Sequence, residues 1–342
     1  MKRATSKILS LTVTLIALVL SSCDHKELCY EHPHKVTLRL AFDWKDAPDA
    51  DSDGMHVCFY AADGDGKNYI YNFDRNGGVI ENIEAGRYHL LCYNNTSVVQ
   101  SGNTQSFDTH MLFTRDGNLL EPVLGPAGAS VTGISGTSDE RVVVCPDRMW
   151  GCSATDVIID ELGVSYIHSS APGMLSGGFA SSQEHIITLF PHELTCTYTF
   201  EIRNVSNLKH ATAMCASLSG MSGSLCVADE RLDQEPVTLP FEAHSDGTSS
   251  IVGKFYTFGH HEDNAAPHRM ALYVWMDDGR KYVYGLSGDD RFDVTGQVHS
   301  APDRHRVHIV IDGLDLPTPI ENGSGFNPEV DDWDIVEEDI VM

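Results

Sequence analysis

The thiol of Cys23 is the group whose place in the sequence points most directly to chemistry. The residues before it form a secretory signal, with cations at Lys2, Arg3 and Lys7 and an apolar run over residues 8–20. That run is shorter than the roughly 20 residues that a permanent membrane-spanning helix needs. A cysteine directly after such a leader can carry a lipid on its sulfur, and this acylation requires the thiol itself.

The stretch LSSC, residues 20–23, resembles a bacterial lipobox. The resemblance implies cleavage between Ser22 and Cys23, a diacylglycerol on the thiol and acylation of the new amino group. Two or three acyl chains hold a protein firmly on a membrane, whereas one chain binds reversibly. The alternative is an ordinary signal peptide with an incidental cysteine nearby. We expect lipidation of Cys23, because the motif stands at the end of the apolar run.

The cysteines after position 23 raise the question of disulfides, which an exported protein can form. They are Cys29, Cys58, Cys92, Cys145, Cys152, Cys196, Cys215 and Cys226. No CxxC pair occurs, so a zinc ribbon is not expected. Several of these thiols lie in strand-like runs, where a free thiol behaves as a small apolar side chain, and free thiols are therefore favoured. If a disulfide forms, the sequence favours Cys145 with Cys152 across a turn.

Histidine-rich and aspartate-rich stretches were the candidates for metal ligands. EHPH (residues 31–34) and GHHEDNAAPH (residues 259–268) lack helical spacing, so solvated side chains are expected. DADSDG (residues 49–54) matches the first half of an EF-hand loop, but the twelfth position is Tyr60 in place of glutamate. An Asp/Gly-rich turn is favoured there. The sequence predicts no metal site and no cofactor.

Motifs for catalysis are weak throughout the chain. SGMSGS (residues 219–224) lacks the GxSxG spacing and lies among strand-like runs instead of before a helix. No phosphate-binding loop or dinucleotide fingerprint occurs, and no carboxylate pair stands out. We therefore predict that the protein is not an enzyme and that it has no catalytic residues.

The charge of the chain excludes one class of partner. The formal net charge is −26, and it becomes −29 when the three cations of residues 1–22 are removed. Such a surface repels nucleic acid and anionic headgroups. We expect no nucleic-acid partner and a membrane contact made by the lipid.

Strand patterns dominate the rest of the sequence. KVTLRLAFDW (residues 35–44) and LTCTYTFEI (residues 194–202) alternate between apolar and polar residues, as half-buried strands do. Residues 277–280 (DDGR) predict a hairpin turn, and residues 95–139 and 151–183 read as long loops. No sustained helical periodicity is present. Many short strands with Gly-rich turns predict an all-β chain of β-sandwich domains.

The order of these segments predicts the domain organisation. The expected units are a signal peptide (1–22), a lipidated tether (23–34), an N-terminal β-sandwich (35–190), a C-terminal β-sandwich (191–316) and an acidic tail (317–342). The tail is either a disordered acidic end or a terminal strand, and its Trp333 and β-branched residues favour the strand.

Several phrases of the mature chain together resemble an uncharacterised family of Bacteroides-type lipoproteins, related in layout to fimbrillin-like and fimbrium-anchor proteins. They are CDHKELCYEHPH, FDW (42–44), AGRYHLLCYNN (85–95), FEIRNVSNL (200–208), SLSGMSGSL (217–225), GKFYTFGHH (253–261) and FDVTGQVHSAPDRHRVHIVIDGLDLP (292–317). The resemblance implies two tandem transthyretin-like (Ig-like) β-sandwiches and a place on the outer membrane, at the cell surface. Only one residue role of the family can be assigned to a position of this chain: the lipidated cysteine, which corresponds to Cys23.

Three functions compete on these grounds. The resemblance implies a lipid-anchored fimbrium anchor, accessory or adhesion subunit, whose partners are the membrane and fimbrial subunits or other surface proteins. The first alternative is a surface lipoprotein that binds glycans, which would gather exposed aromatics on one face. Trp44, Trp150, Trp275 and Trp333 are instead scattered in sequence. An enzyme of unknown type ranks third.

Overall fold

The computed structural model describes residues 34–64, 66–126, 139–166, 185–261, 267–286, 289–319 and 334–335. Within these ranges the chain is built almost wholly of strands, joined by turns and a few short helical turns. The strands form two tandem β-sandwiches, so the predicted all-β fold class is confirmed. No helix in the described ranges is long and apolar enough to cross a membrane.

The strands before residue 195 are β1 (Lys35–Phe42), β2 (Gly54–Ala61), β3 (Tyr69–Asp74), β4 (Gly78–Glu84), β5 (Gly86–Asn94), β6 (Val99–Gly102), β7 (Met111–Thr114), β8 (Arg141–Val142), β9 (Trp150–Asp160), β10 (Gly163–Tyr166), β11 (Ile186–Leu189) and β12 (His192–Glu193). Helix α1 spans Glu121–Leu124.

The later strands are β13 (Cys196–Ser206), β14 (Ala211–Ser222), β15 (Ser224–Cys226), β16 (Pro236–Glu242), β17 (His244–Ser245), β18 (Ile251–Thr257), β19 (Met270–Met276), β20 (Lys281–Tyr284), β21 (Arg306–Asp315) and β22 (Asp334–Ile335). Helix α2 spans Thr295–His299, and single 3-10 turns lie at Trp44–Asp46, Phe107–Thr109, Leu208–His210 and Asp290–Phe292.

Each sandwich packs a smaller sheet against a larger one. The N-terminal sandwich has the sheets β11-β1-β4 and β10-β9-β5-β2-β3, and β12 pairs with β9 at the side. The C-terminal sandwich has the sheets β17-β18-β13-β21 and β22-β20-β19-β14-β16-β8. The alternating side chains of β1 and β13 point into the two cores. Val36, Leu38 and Leu40 are buried in the first core, and Tyr198 and Phe200 are buried in the second.

The two sandwiches repeat one topology. The first strand of each pairs in parallel with the last long strand of the same sandwich, β1 with β11 and β13 with β21. Parallel neighbours without an intervening helix are possible because the chain crosses between the two sheets of a sandwich before it returns. The predicted hairpin turn between β19 and β20 is confirmed, with Gly279 at φ +85° and its N–H donating to the carbonyl of Met276.

The segment between β6 and β8 crosses from one sandwich to the other. Strand β7 pairs with β15 and β6 to form a third, small sheet, and β8 pairs in parallel with β16 at the edge of the C-terminal sheet. Val143, just after β8, is fully buried in the C-terminal core, and Leu119 and Leu120 pack near Cys215 and Tyr273. The segment between β6 and β8 therefore leads to a strand and a buried side chain of the C-terminal sandwich, and the main sheets change over between Leu189 and Cys196.

Two of the longest strands were not predicted. Strand β9 lies in a stretch that was read as a loop, and β14 was assigned to no element. Nine consecutive residues of β14, Met214–Ser222, are buried, so the strand shows no polar alternation. Strand β14 is buried on both faces, because it lies inside the larger C-terminal sheet where neighbours cover both of them. It therefore lacks the period-two signal of a half-buried strand. Strand β9 does alternate between buried and partly buried residues, but Asp156, at φ +56°, interrupts the alternation.

Candidate functional site

The cysteine predicted to carry a lipid, Cys23, lies outside the described residues, as does most of the EHPH stretch. Only His34 of that stretch is described, and its Nδ1 lies 2.5 Å from Oε1 of Glu161 in an exposed contact. The lipidation of Cys23 is therefore still a prediction.

The structure separates the two thiols that the sequence had paired. Sγ of Cys145 donates to the carbonyl of Pro240 at 3.2 Å and packs against the C-terminal core. Sγ of Cys152 lies in the N-terminal core, 3.3 Å from Sγ of Cys92. The described cysteines are all free thiols. Cys145 and Cys152 do not meet because the chain passes from one sandwich to the other between β8 and β9.

The aspartate-rich turn is held by an ion pair. Oδ2 of Asp49 accepts from Arg148 at 2.8 Å, and this bond lowers the pKa of the Asp49 carboxyl. Tyr60, at the twelfth position of the EF-hand pattern, is buried in β2. The loop therefore closes on an arginine, which fits the predicted turn.

The second histidine stretch converges on a third histidine that the sequence did not single out. The rings of His260, His268 and His299 have centroid separations of 5.0–5.3 Å. Nδ1 of His268 lies 3.1 Å from the carbonyl of Ser219. Burial lowers the pKa of His260 to about 4 and also lowers that of His268. Among the described residues, no group of side chains is arranged to hold a metal ion.

The serines of SGMSGS are part of the sheets. They lie at the end of β14 and in β15, and Oγ of Ser222 donates to the carbonyl of Ser224 at 2.9 Å. The hydroxyl of Ser219 lies 3.2 Å from the carbonyl of Pro267. These contacts fix the serines as structural hydrogen-bond donors and give no nucleophile–base arrangement.

The surface with the clearest capacity for binding is the outer edge of β3. This strand is the last in its sheet, and in the described part of the chain its ladder partner is β2 alone. Ile70 points outward with 57% of its surface exposed. A free strand edge presents a row of backbone donors and acceptors that another extended segment can pair with.

The inner face of β3 carries a row of aromatic rings. Tyr69 and Tyr71 are parallel, with centroids 6.3 Å apart, and Tyr71 lies 6.0 Å from Phe73. The row packs on the N-terminal core through edge contacts such as that of Tyr71 with Phe59. These contacts fix the backbone of β3 in an extended conformation, which prepares its outer edge for pairing.

Strand β4 lies beside β3 at the same side of the sandwich and also ends its sheet. Its Val79 is 61% exposed. A bridge between Asp74 and Gly77 joins the two strands at one end, and the hydroxyl of Tyr69 accepts from the N–H of Glu84 at the other. We call β3 and β4 the paired edge. YIYNFD, the sequence of β3, contains no lysine or proline, the residues that commonly block an edge strand.

The long edge strand of the C-terminal sandwich is capped by side chains. Gln297 of α2 donates to the carbonyl of Val310 at 2.9 Å and accepts from its N–H at 2.8 Å. Arg291 donates to the carbonyl of Gly313 at 2.7 Å. These contacts occupy backbone groups of β21 that a further strand would need. The contrast singles out the paired edge as the candidate binding surface.

The larger C-terminal sheet ends on two short strands. One edge is β8, and the other is β22, which pairs in parallel with β20 through Tyr282 with Asp334 and Val283 with Ile335. The described part of the tail thus lies on its own domain. The remainder of the tail, residues 320–333 with Trp333 and residues 336–342, lies outside the described residues.

The sequence pattern did not indicate that β3 and β4 lie at the edge of the sandwich. Strand order depends on pairing between distant segments, which period-two patterns do not encode. The absence of lysine and proline from YIYNFD was the signal that could have pointed to an open edge.

The chain is similar to a fimbrium-related protein of Bacteroides ovatus. The chain is 23% identical over 258 residues to a Bacteroides ovatus protein named "Putative fimbrium anchoring subunit Fim4B", covering 74% of this chain and 66% of that protein. It therefore spans slightly less than two thirds of that relative.

One solved structure supports the fold. A crystal structure described as a "putative adhesin" from Bacteroides ovatus matches with a TM-score of 0.54 at 17% identity, over 87% of this chain and 99% of that one. The fimbrial anchor protein Mfa2 of Porphyromonas gingivalis matches with a TM-score of 0.44 at 15% identity, over 82% and 90%. The model of the family described as "Domain of unknown function (DUF5119)" matches residues 22–242, and the chain belongs to this family.

Proposed function

We propose that this protein is a cell-envelope subunit that anchors or joins a fimbrium, held in the outer membrane by a lipid on Cys23. The observation that carries the proposal is the paired edge, where β2 is the one ladder partner of β3 among the described residues and where Ile70 and Val79 are exposed. Adding a strand to such an edge gives affinity through main-chain hydrogen bonds and specificity through alternate side chains. The role is one of binding and anchoring, without catalysis.

The relative named as a fimbrium anchoring subunit supports the choice of partner, which is a fimbrial subunit. Position also supports the lipid, because the family match begins at residue 22, next to Cys23. A lipid at this position would leave residues 24–34 as a tether between the membrane and β1.

The test is a charge placed on the paired edge. Ile70→Lys puts a lysine on β3, and a lysine that must lie against a partner strand is unfavourable. We expect cells carrying this variant to lose the attachment of fimbrial subunits, measured by co-purification with the membrane-anchored protein. Leu162→Lys is the matched control, since Leu162 is 87% exposed in the turn between β9 and β10. Equal attachment in both variants would show that β3 is not the binding edge.

A further inference from the structure

A cavity of about 320 Å³ opens at the junction of the two sandwiches. Its floor is apolar and includes Leu194, Leu225 and Phe258, which belong to the core between the sandwiches. Its rim carries Arg231, Arg304 and histidines. The volume is at the lower end of the range for small-molecule sites, which combine apolar walls with a few convergent polar groups.

The rim is rich in nitrogen in a protein that is strongly acidic. Two guanidiniums and three imidazoles line the cavity, against one carboxylate, and the lining residues that can be charged are Arg231, Arg304, His260, His261, His305 and Glu230. The formal charge of the whole chain is −26. A local excess of cationic groups on such a background is a focus for an anionic ligand.

The single carboxylate of the rim is already engaged. Oε1 of Glu230 lies 2.8 Å from Nε2 of His192, which lies outside the lining. Arg231 is offset by Asp229, whose Oδ2 lies 3.5 Å from its Nε. In the described part of the chain, no carboxylate lies within ion-pair distance of Arg304, which is exposed. Arg304 is therefore the cation of the rim that is available to a ligand.

The imidazoles are held in place by their own hydrogen bonds. Nδ1 of His260 lies 2.7 Å from the hydroxyl of Tyr198, and Nε2 of His261 lies 2.5 Å from the carbonyl of Asp233. Nδ1 of His305 lies 3.6 Å from Sγ of Cys196. Each ring thus has one nitrogen fixed by a contact within the described residues.

We propose that this cavity binds a small ligand that carries a carboxylate on an apolar-faced ring, of the size of a uronic acid. Arg304 pairs with the carboxylate through its planar fork, which suits two carboxylate oxygens. The floor of leucine and phenylalanine takes the face of the ring, and the imidazoles bond to hydroxyls. This site is separate from the paired edge, so neither proposal depends on the other.

The electrostatics of His260 favour an anionic ligand. Burial and then, in order, the neighbouring His268, His299, Arg304 and His261 together lower its pKa to about 4. An anion in the cavity would offset these charges and raise the pKa of His260. By linkage, the ligand must then bind more tightly as the pH falls from 7.5 towards 5.

The experiment uses the full mature chain and two sugars, glucuronate and glucose. They differ only at C6, which is a carboxylate in glucuronate and a hydroxymethyl group in glucose. Calorimetric titration should show glucuronate binding at least tenfold more tightly than glucose, with an affinity that rises between pH 7.5 and pH 5. Arg304→Gln should weaken glucuronate binding at least tenfold. Arg306→Gln is the matched control, because Arg306 is equally exposed, lies two residues away and does not line the cavity.

Each other outcome overturns the proposal. Equal binding of glucose would remove the role of the carboxylate, and an equal loss in both arginine variants would remove the role of the cavity. If sulfate bound as tightly as glucuronate, the cavity would be a general anion site that does not recognise the sugar ring. Absence of glucuronate binding by the folded chain at both pH values would exclude the site. None of these outcomes bears on the proposal that fimbrial subunits attach at the paired edge, which the Ile70→Lys variant tests separately.

Discussion

The sulfur atoms of Cys92 and Cys152 lie 3.3 Å apart, on facing positions of β5 and β9. Both side chains are buried in the N-terminal core. Burial raises the pKa of the Cys92 thiol well above its ordinary value, and the two sulfurs lie within hydrogen-bond distance of each other. The pair is the one place in the described chain where two thiols already meet.

We expect that any disulfide formed after export joins Cys92 with Cys152. Facing residues of neighbouring strands have Cα separations that a disulfide can bridge, so closure needs little backbone movement. Peptide mapping of the non-reduced protein should find this cross-link and should find Cys145 as a free thiol. A Cys145–Cys152 cross-link would contradict the structure.

The pairing also shows what the sequence could and could not predict. Its apolar alternation correctly placed β1 and β13, because these strands have one buried face and one more exposed face. It favoured Cys145 as the partner of Cys152 because the two are close in sequence. The choice of Cys92 depends on the register of β5 with β9, two strands that are distant in sequence.

The same limit applies to the binding surfaces. The sequence named residues 259–268 as histidine-rich, but it could not bring His299 or Arg304 to them, because these lie beyond several turns of the chain. It also could not identify β3 as an edge. Both features arise from strand order, which is set by long-range packing instead of local pattern.

Val143 should stabilise the C-terminal core although it lies in the N-terminal half of the sequence. Its side chain is fully buried there, and its N–H donates to the carbonyl of Thr238 at 3.1 Å. Val143→Ala should lower the free energy of unfolding by about 2 kcal/mol, from lost burial and the cavity left behind. Val252→Ala is the control, since Val252 is 36% exposed on β18, and denaturant titration measures both. Equal losses would mean that the crossing segment does not support this core.

A related prediction concerns the fragment of residues 191–316. It lacks β8 and Val143, so the edge of β16 and part of the core would be exposed. We expect a β-type circular dichroism spectrum without a cooperative thermal transition. A sharp transition like that of the full chain would show that the second sandwich folds without the crossing segment.

His110 should make the N-terminal half less stable in acid. Its side chain is fully buried, with Nδ1 2.6 Å from the hydroxyl of Tyr60 and Nε2 3.0 Å from that of Tyr93. Burial and the nearby His56 lower the pKa of His110 from 6.5 to about 4. The unfolded chain therefore takes up the proton first as the pH falls. The contribution of neutral His110 to the free energy of unfolding is complete above pH 6.5. It is lost progressively down to pH 4, by about 3 kcal/mol in all.

The measurement is the free energy of unfolding between pH 7 and pH 4. His110→Gln should lower it at pH 7 by about 1–3 kcal/mol, because a tyrosine hydroxyl loses its partner. In the same variant, the free energy of unfolding should fall less steeply as the pH is lowered. The exposed His244→Gln should leave that pH dependence unchanged. A slope that is identical in wild type and His110→Gln would mean that this histidine does not titrate with folding.

Cys23→Ser should release the protein from the membrane. The hydroxyl of serine cannot replace the thiol in acylation, and the leader is too short to anchor the chain by itself. We expect the wild-type protein in the membrane fraction, with mass spectrometry showing acyl groups on an N-terminal Cys23. Cys29→Ser is the matched control and should stay membrane-bound. An unmodified terminus at any other residue would contradict the prediction.

The tail should stabilise its own domain. In the structure β22 pairs in parallel with β20, so residues 334–335 occupy the edge of the larger C-terminal sheet. The proline-containing step at Leu316–Pro319 precedes this return, and Arg280 donates to the carbonyl of Thr318 at 3.0 Å, which fixes the start of the tail. Deletion of residues 329–342 would expose the edge of β20. The melting temperature of the isolated monomer should then fall by about 3 °C for each kcal/mol lost.

The alternative for the tail is donation to another subunit, since extended segments can pair with open edges in either direction. A matched variant, Asp334→Pro, keeps the length of the tail but removes a backbone donor from β22. If β22 closes its own sheet, both changes lower the melting temperature of the monomer and leave subunit attachment through Ile70 intact. If the monomer melts unchanged while attachment is lost, the tail is a donor strand and its pairing with β20 is not the functional arrangement.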